Sequence, residues 1–260
     1  MFFYSSIEPI YYILPIVGFI IGLFATVLGG GGGFFFLPIL TIVLGVPTQT
    51  AVITSLVATL PIGLVGTYGH LKQNNIDFRT GLPFVIFGLA GAFIGAYITS
   101  IVSPQLLKSC FGAYTIILSL SIAYKALLKT NNSNLNQTPI SRNIKSSIYG
   151  LFGGAISGSF GTSGTGPVLA GLLSLKLPLR LVIGTSLFVV LINTIASITA
   201  HLLIGKIDLT LILFLTAGSI IGAFIGPKII SKTNTNNKES KARFIYAVVL
   251  FTVGIIMILK

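Results

Sequence analysis

Ten apolar segments, separated by charged residues, prolines and polar clusters, make up almost the whole chain. Only 8% of its 260 residues are charged, whereas soluble domains carry about 25%. The mean hydropathy is +0.99, and a membrane-spanning helix needs about 20 mainly apolar residues. The sequence therefore predicts an all-α, polytopic transmembrane helix bundle of roughly eight to ten spans. It excludes a soluble enzyme, a secreted disulfide scaffold and a disordered chain.

A polar linker divides the chain into two halves of five segments each. We predict a first transmembrane repeat at 1–128, the linker at 129–143 and a second transmembrane repeat at 144–260. The segments are predicted at 9–28, 30–45, 48–70, 80–100 and 104–128 in the first half, and at 144–160, 161–177, 180–204, 208–230 and 241–259 in the second.

The two halves resemble each other in sequence. A shift of 131 residues aligns 22–98 with 153–229 without a gap, and about 20 of the 77 aligned positions are identical. Low complexity alone can match Leu to Leu, but it does not place rarer residues in one register. The rarer matches are Pro47 with Pro178, Thr54-Ser55 with Thr185-Ser186, His70 with His201, and Asp77 with Asp208. We infer an internal duplication of the kind found in secondary transporters.

The positions of the 16 lysines and arginines predict the topology. If every segment crosses, or if the first two of each half form a hairpin, 13 of these cations lie on one face and 3 on the other. If those two segments instead make one crossing, the split is 8 to 8. The positive-inside rule favours the first model, which puts the linker in the cytoplasm and both termini outside. Five segments is an odd number, so the second half is inverted relative to the first.

Glycine-rich stretches lie between the first and second segments of each half. They are Gly29 to Gly33, and Gly161-Thr162-Ser163-Gly164-Thr165-Gly166-Pro167. Five consecutive glycines break a helix, and the helix that resumes presents unpaired N–H groups that suit an anion. Non-helical backbone at membrane depth persists only inside protein or beside a water-filled cavity. We predict that the two breaks meet near the midplane, with close helix packing or a loose turn at the membrane face as the alternative.

Hydroxyl pairs one segment beyond each glycine-rich stretch are further candidates. Thr54-Ser55 and Thr185-Ser186 either bond a carbonyl of their own helix or contact a substrate or ion. Asn193 is another polar candidate, and its counterpart in the first half is apolar. The predicted substrate-binding residues are Gly30, Gly31, Gly32, Gly33, Thr54, Ser55, Ser163, Gly164, Thr165, Gly166, Thr185 and Ser186.

Each half has one His–Asp pair at the junction of its third and fourth segments. Asp77 and Asp208 are placed to cap the following helix. His70 and His201 lie at segment ends, where they are polar interface residues or titrate in a gate. These four side chains do not indicate a metal site.

A second interpretation starts from Gly161-Thr162-Ser163-Gly164, which resembles the Gly-x-Ser-Gly of rhomboid intramembrane proteases. In that case His201 would be the base for Ser163. Against this, rhomboids are not inverted duplications, and the matching stretch of the first half contains only glycine.

The chain as a whole resembles the TauE/SafE family of sulfite exporter-like permeases. The resemblance rests on Gly29–Gly33 before Pro38, on Gly45-Val46-Pro47 before Thr54-Ser55, and on Gly153, Ser157-Gly158, Gly164-x-Gly166-Pro167 and Gly184-Thr185-Ser186. It implies a multi-pass protein of the inner (plasma) membrane that transports small anionic sulfur compounds such as sulfite or organosulfonates, often outward. Ser163 and Thr165 depart from the mostly glycine pattern of the family, which affects the substrate expected.

These features predict a transporter and not an enzyme, with no cofactor and no metal. Its expected partners are a small anion and the lipid bilayer, and a homodimer is left open. The net charge of +12 follows from the positive-inside distribution and does not indicate nucleic acid. An anion channel or uniporter for other small anions is the alternative transport function.

Overall fold

The computed structural model describes residues 2–28, 32–127, 139–175, 177–203, 207–230 and 238–259. Gly30, Gly31 and 129–138 of the predicted linker lie outside this part. The helices are α1 (Leu14–Leu28), α2 (Gly33–Pro38), α3 (Thr48–Lys72), α4 (Phe78–Ile101), α5 (Pro104–Leu127), α6 (Pro139–Phe160), α7 (Thr165–Ser174), α8 (Leu179–Leu202), α9 (Leu209–Ile230) and α10 (Lys238–Leu259). A 3-10 turn, Pro9–Ile13, precedes α1, and a π-helical turn, Ile39–Val43, continues α2. Two-residue strands, β1 (Phe2–Phe3) and β2 (Ile207–Asp208), pair in parallel.

The predicted helix bundle is confirmed, with one clear shift of boundary. Helix α6 begins at Pro139, inside the predicted linker 129–143, and not at residue 144. Proline fits the first turn of a helix because the N–H that it lacks has no partner there. The polar residues after Pro139 suggested a loop, but a helix that extends beyond the membrane tolerates them.

Five helical spans in the described part are long and apolar enough to cross a membrane. They are Pro9–Thr26, Thr48–Lys72, Phe78–Ile101, Pro104–Tyr124 and Leu179–Leu202. Large apolar side chains point outward on these helices and on α9, for example Phe87, Phe93, Tyr97 and Phe224. Hydroxyl side chains, among them Thr54, Ser55, Ser157 and Ser186, are fully buried. Apolar surface outside and small polar groups inside are typical of helices packed in lipid.

The second helix of each half is too short to cross. The 10 residues of α7 and the 11 residues of Gly33–Val43 span about 15 Å each, half of the hydrocarbon core. Helix α7 runs back along α6, because Gly164 abuts Gly153 while Gly171 abuts Tyr149. The first two helices of the second half therefore form a hairpin that turns at 161–164.

Helix pairs across the two halves show an inverted repeat. Helix α1 packs on α9, α4 on α6, α3 on α8 and α5 on α10, and exchanging the halves reproduces the same set of pairs. Helices α3 and α8 are antiparallel, since Gly63 contacts Leu191 while Gly66 contacts Leu187. These two helices hold equivalent places in the repeat. Their opposite directions therefore mean that the second half is inverted, as the cation distribution predicts.

Candidate functional site

The two glycine-rich turns meet in direct contact. A Cβ added to Gly33 would lie 2.5 Å from the Gly161 carbonyl oxygen and 2.6 Å from the Thr162 Cα, so only glycine fits at this position. Gly161 packs in turn on the backbone of Val52 in α3, where a Cβ would lie 2.5 Å from its oxygen. The predicted convergence therefore holds for the part of the first turn that the structure describes.

The two turns lie inside the bundle, against the inner face of α3. Gly32 faces Ile62, and Ser163 donates a hydrogen bond to the Thr59 hydroxyl oxygen at 3.1 Å. Thr59 lies in the middle of the 25-residue α3, about 17 Å from one end and 20 Å from the other at 1.5 Å per residue. The Gly33–Gly161 contact itself packs on Val52 and Ser55, nearer the start of α3, so the turns lie along the first half and the middle of this helix.

The turns require left-handed backbone at repeat-related positions. Gly32 has φ +77° and its counterpart Ser163 has φ +61°. Glycine adopts this region freely, whereas a serine there is strained. Ser163 is fully buried, and its bond to Thr59 helps to hold the unfavourable conformation. The substitution of serine for glycine in the second turn therefore brings a hydroxyl group to the meeting point.

Ser55 and Ser186 are equivalent in the repeat but differ in their contacts. Ser55 donates to the Gly161 carbonyl at 2.9 Å and lies 3.5 Å from the Gly33 carbonyl. Ser186 is also fully buried, but its hydroxyl has no hydrogen-bond partner in the described part of the chain. The first half thus contributes a serine whose hydroxyl joins the two turns, and the second half contributes one whose hydroxyl is unpartnered in the described part of the chain.

The structure separates the two threonines from the serines beside them. The Thr185 hydroxyl oxygen accepts a hydrogen bond of 2.9 Å from the Asp77 N–H. Thr185 therefore contacts the junction between α3 and α4. Thr54 is fully buried and its hydroxyl is unpartnered among the described residues. Thr165 is the first residue of α7 and is equally buried, while Gly166 lies against the Tyr114 hydroxyl.

Both aspartates cap helices, as the sequence predicts. Asp77 accepts from the Thr80 N–H at 3.0 Å, and Asp208 accepts from the Thr210 N–H at 3.0 Å. Arg142 of α6 adds an ion pair to Asp77 at 3.2 Å that sequence reasoning missed. Burial raises the pKa of Asp77, but the bonds from Thr80 and the Arg142 charge outweigh it and leave the pKa below its ordinary value.

The protease interpretation is wrong, because the structure does not pair Ser163 with His201. The Ser163 hydroxyl is bonded to Thr59, and the His201 Nε2 lies 2.6 Å from the Gly158 carbonyl oxygen. A nucleophilic serine needs its base within hydrogen-bonding reach. His201 instead joins α8 to α6 as a buried interface residue.

Aromatic rings beside the turns form a group that sequence reasoning missed. Phe34 directly follows Gly33, Phe160 directly precedes Gly161, and both rings stack with Tyr114 of α5 at 5.9 Å. The signal in the sequence was the phenylalanine adjoining each glycine-rich stretch. The stack connects α5 to both turning points.

The site carries no formal charge. The sequence has no Lys, Arg, Asp or Glu between Glu8 and Lys72, between Lys145 and Lys176, or between Arg180 and Lys206. A ligand at the meeting point is therefore bound by hydroxyls, amides, backbone N–H groups and helix ends.

An inverted repeat of membrane helices, with two broken helices in contact inside the bundle, is typical of secondary membrane transporters. The sulfite exporter TauE/SafE family model matches residues 14–257, and the chain belongs to this family. It is therefore a multi-pass membrane transporter, and the plasma membrane is the usual site for the family.

Curated relatives carry names that agree with this class. The chain is 27% identical over 217 residues to the probable membrane transporter protein YdhB of Bacillus subtilis, covering 83% of this chain and 89% of that protein. It is 26% identical over 245 residues to YunE of the same organism, covering 86% and 89%. A probable membrane transporter protein of Methanocaldococcus jannaschii is 25% identical over 263 residues, covering 95% of each chain. No solved structure matches the chain.

Proposed function

We propose that this transporter is a carrier for small anionic sulfur compounds, such as sulfite, which is monovalent in its bisulfite form, or organosulfonates, and that it moves them outward. The observation that carries the proposal is the contact of the two glycine-rich turns inside the bundle, among buried neutral hydrogen-bonding groups. We assign substrate contact to the repeat-related residues of the two turns and to Ser55 and Ser186 beside them.

The absence of formal charge at the site favours a small anion of single charge. The Born cost of burying an ion rises steeply with its charge, and neutral dipoles offset only part of it. The N-terminus of α7 lies at the meeting point and presents N–H groups without intrahelical acceptors.

The membrane potential supports the outward direction. Moving one elementary charge across 100 mV is worth about 2.3 kcal/mol, and an inside-negative cell therefore drives a monovalent anion out without a coupled ion. The chain has four acidic residues. Asp77 and Asp208 cap helices, while Glu8 and Glu239 lie outside the predicted apolar segments, so no carboxylate is placed for a proton relay at the site.

The close packing at the centre supports a carrier over an open channel. Gly33 touches Thr162 directly, and Ser55, Ser163 and Ser186 have no exposed surface. Passage of a substrate then requires the two halves to separate on one side at a time, which inverted repeats perform by rocking around a central site.

Flux measurements on purified protein in proteoliposomes test the proposal. The panel comprises sulfite, organosulfonates and inorganic anions, each with and without an imposed ion gradient and membrane potential. We expect saturable, potential-driven flux of the sulfur anions that needs no second ion. Equal, non-saturating conductance of chloride and the sulfur anions would instead identify a channel.

A further inference from the structure

Buried polar side chains without a hydrogen-bond partner are more numerous in the second half of the site, where there are four, than among the predicted site residues of the first half, where the described part has Thr54. Thr162, Thr165, Ser186 and Asn193 are at most 1% exposed, and none of their side-chain polar atoms has a hydrogen-bond partner in the described part of the chain. Leaving a buried donor or acceptor unsatisfied costs about 1–3 kcal/mol, so each such group calls for an explanation. Their counterparts in the first half are Gly31, Phe34, Ser55 and Ile62, of which only Ser55 has a polar side chain, and it is bonded to Gly161.

Asn193 is held in a niche made by two glycines. Its amide lies against Gly88 of α4 and near Gly153 of α6, where any Cβ on Gly88 would collide with the amide oxygen. A Cβ added to Gly153 would lie 3.8 Å from the Asn193 amide nitrogen and 3.3 Å from the Gly164 carbonyl oxygen. The Asn193 amide and the carbonyl oxygen of Gly164, the N-cap of the ten-residue α7, therefore border the same small space beside Gly153.

Two independent features thus lie near the start of α7. The helix supplies N–H groups of its first turn, which have no intrahelical acceptors, and Thr165, its first residue, adds a buried hydroxyl. Asn193 adds two amide N–H donors and one carbonyl acceptor, all unpartnered. A ligand bound here meets several donors and two acceptor atoms, the Asn193 amide oxygen and the Gly164 carbonyl oxygen.

We propose that Asn193, Thr165 and the N-terminus of α7 form the primary substrate subsite, and that it selects an oxyanion bearing one O–H group. The oxygens of such an anion accept from the N–H and hydroxyl donors, and its O–H donates to the Asn193 amide oxygen. Bisulfite has this pattern, with a single negative charge. This inference rests on the proposed transport of small sulfur anions and makes the second half the half that recognises them.

A pair of isosteric anions tests the selection. Bisulfite and methanesulfinate both carry one negative charge on an SO2 group, and they differ by O–H against CH3. We expect wild-type protein in proteoliposomes to take up bisulfite with a KM about 10- to 150-fold lower than that for methanesulfinate, the effect of one hydrogen bond to a charged partner.

Asn193→Leu removes both amide functions at similar volume, and Ser197→Ala is the matched control. Ser197 lies one turn further along the same face of α8, but its hydroxyl is already bonded to Ser157 at 2.9 Å. We expect Asn193→Leu to raise the KM for bisulfite about 10- to 150-fold and to abolish discrimination between the two anions. Ser197→Ala should leave the KM and the discrimination unchanged.

Thermal unfolding separates recognition from a structural role. Without anion, Asn193→Leu should have an unchanged or higher Tm because it removes unsatisfied buried groups, and the Tm increase that bisulfite gives the wild type should vanish. If the variant is not recovered folded, Thr165→Val, which replaces the hydroxyl by a methyl group, is measured in the same way.

The outcomes distinguish this inference from the proposed function. If wild-type protein transports no anion of the panel, the proposed function fails and the subsite with it. If wild-type protein transports bisulfite but Asn193→Leu and Thr165→Val keep its KM and its preference over methanesulfinate, the subsite alone is refuted. A lower anion-free Tm in Asn193→Leu together with an unchanged KM would show that the amide is structural.

Discussion

The Ser55 hydroxyl of the first repeat donates a 2.9 Å hydrogen bond to the Gly161 carbonyl of the second. This bond crosses the interface between the halves at the point where their glycine-rich turns touch. A rocking motion of one half against the other must stretch or break it. Ser55 is thus placed to stabilise the contact of the two turns, whereas the hydroxyl of its repeat partner Ser186 has no hydrogen-bond partner among the described residues.

Ser55→Ala and Ser186→Ala should therefore have different effects. Ser55→Ala leaves a buried carbonyl unsatisfied, so we expect it to lower the free energy of unfolding by about 1–3 kcal/mol. Ser186→Ala removes a hydroxyl with no partner in the closed protein, so its Tm should change little while the KM rises about 10- to 150-fold. Thermal unfolding and proteoliposome flux of both variants test this, and identical profiles for the two would contradict it.

Gly33→Ala should prevent the two turns from meeting. Its methyl group would lie 2.5 Å from the Gly161 oxygen and 2.6 Å from the Thr162 Cα, which are backbone atoms that cannot rotate away. We expect loss of transport and a lower Tm. Gly69→Ala is the matched control, since nothing lies within 4 Å of that position in α3 and alanine favours a helix by up to about 1 kcal/mol over glycine. Normal flux in Gly33→Ala would mean that the contact is dispensable.

Much of this architecture could be predicted from the sequence because local chemistry sets it. The glycine-rich stretches break their helices, the aspartates cap theirs, and the 131-residue repeat with its cation distribution indicates inversion. Contacts between distant elements could not be predicted. The Arg142–Asp77 pair joins α6 to α4, and the niche for Asn193 exists because Gly88 and Gly153 come together in space. Periodicity and spacing carry no information on which helices face each other.

The sequence also grouped Thr185 with Ser186 as one predicted site. In a helix, adjacent residues point about 100° apart, so two neighbours rarely serve the same site. Thr185 turns toward the Asp77 N–H at the α3–α4 junction, and Ser186 does not share that contact. The repeated Thr-Ser pair thus contains residues in different surroundings.

Asp77 substitutions should separate helix capping from the ion pair with Arg142. Asparagine is as good a cap as aspartate, so Asp77→Asn loses only the exposed pair, worth about 0.2–1 kcal/mol. Asp77→Ala also loses the cap, which lowers the free energy of unfolding by a further amount of about 0.5–2 kcal/mol. We expect Tm to fall in the order wild type, Asp77→Asn, Asp77→Ala, with little change in KM. A large KM change with an unaltered Tm would point instead to a role at the substrate site.

The pH dependence of the Asp77 contribution follows from its pKa. The folded pKa lies below the ordinary value, so the unfolded state takes up the proton first as pH falls. The stability from the charged form is present above the unfolded pKa, about 3.9, and is lost as pH falls through the folded pKa. The Tm difference between wild type and Asp77→Asn should therefore be constant near neutral pH and shrink in acid. A difference that grows in acid would contradict this.

Inverted topology can be tested with cysteines at the ends of α3 and α8. Both helices are followed by exposed residues, Gln73 and Leu203, and the antiparallel packing of the helices puts these on opposite faces. The cation distribution predicts that residue 73 faces the cytoplasm and residue 203 the outside. On a Cys110→Ser background, since Cys110 is exposed, an impermeant thiol reagent should label Leu203→Cys but not Gln73→Cys in intact cells. Permeabilised cells, in which both cysteines should react, provide the control. Labelling of residue 73 alone would reverse the predicted sidedness, and labelling of both in intact cells would contradict the inverted repeat itself.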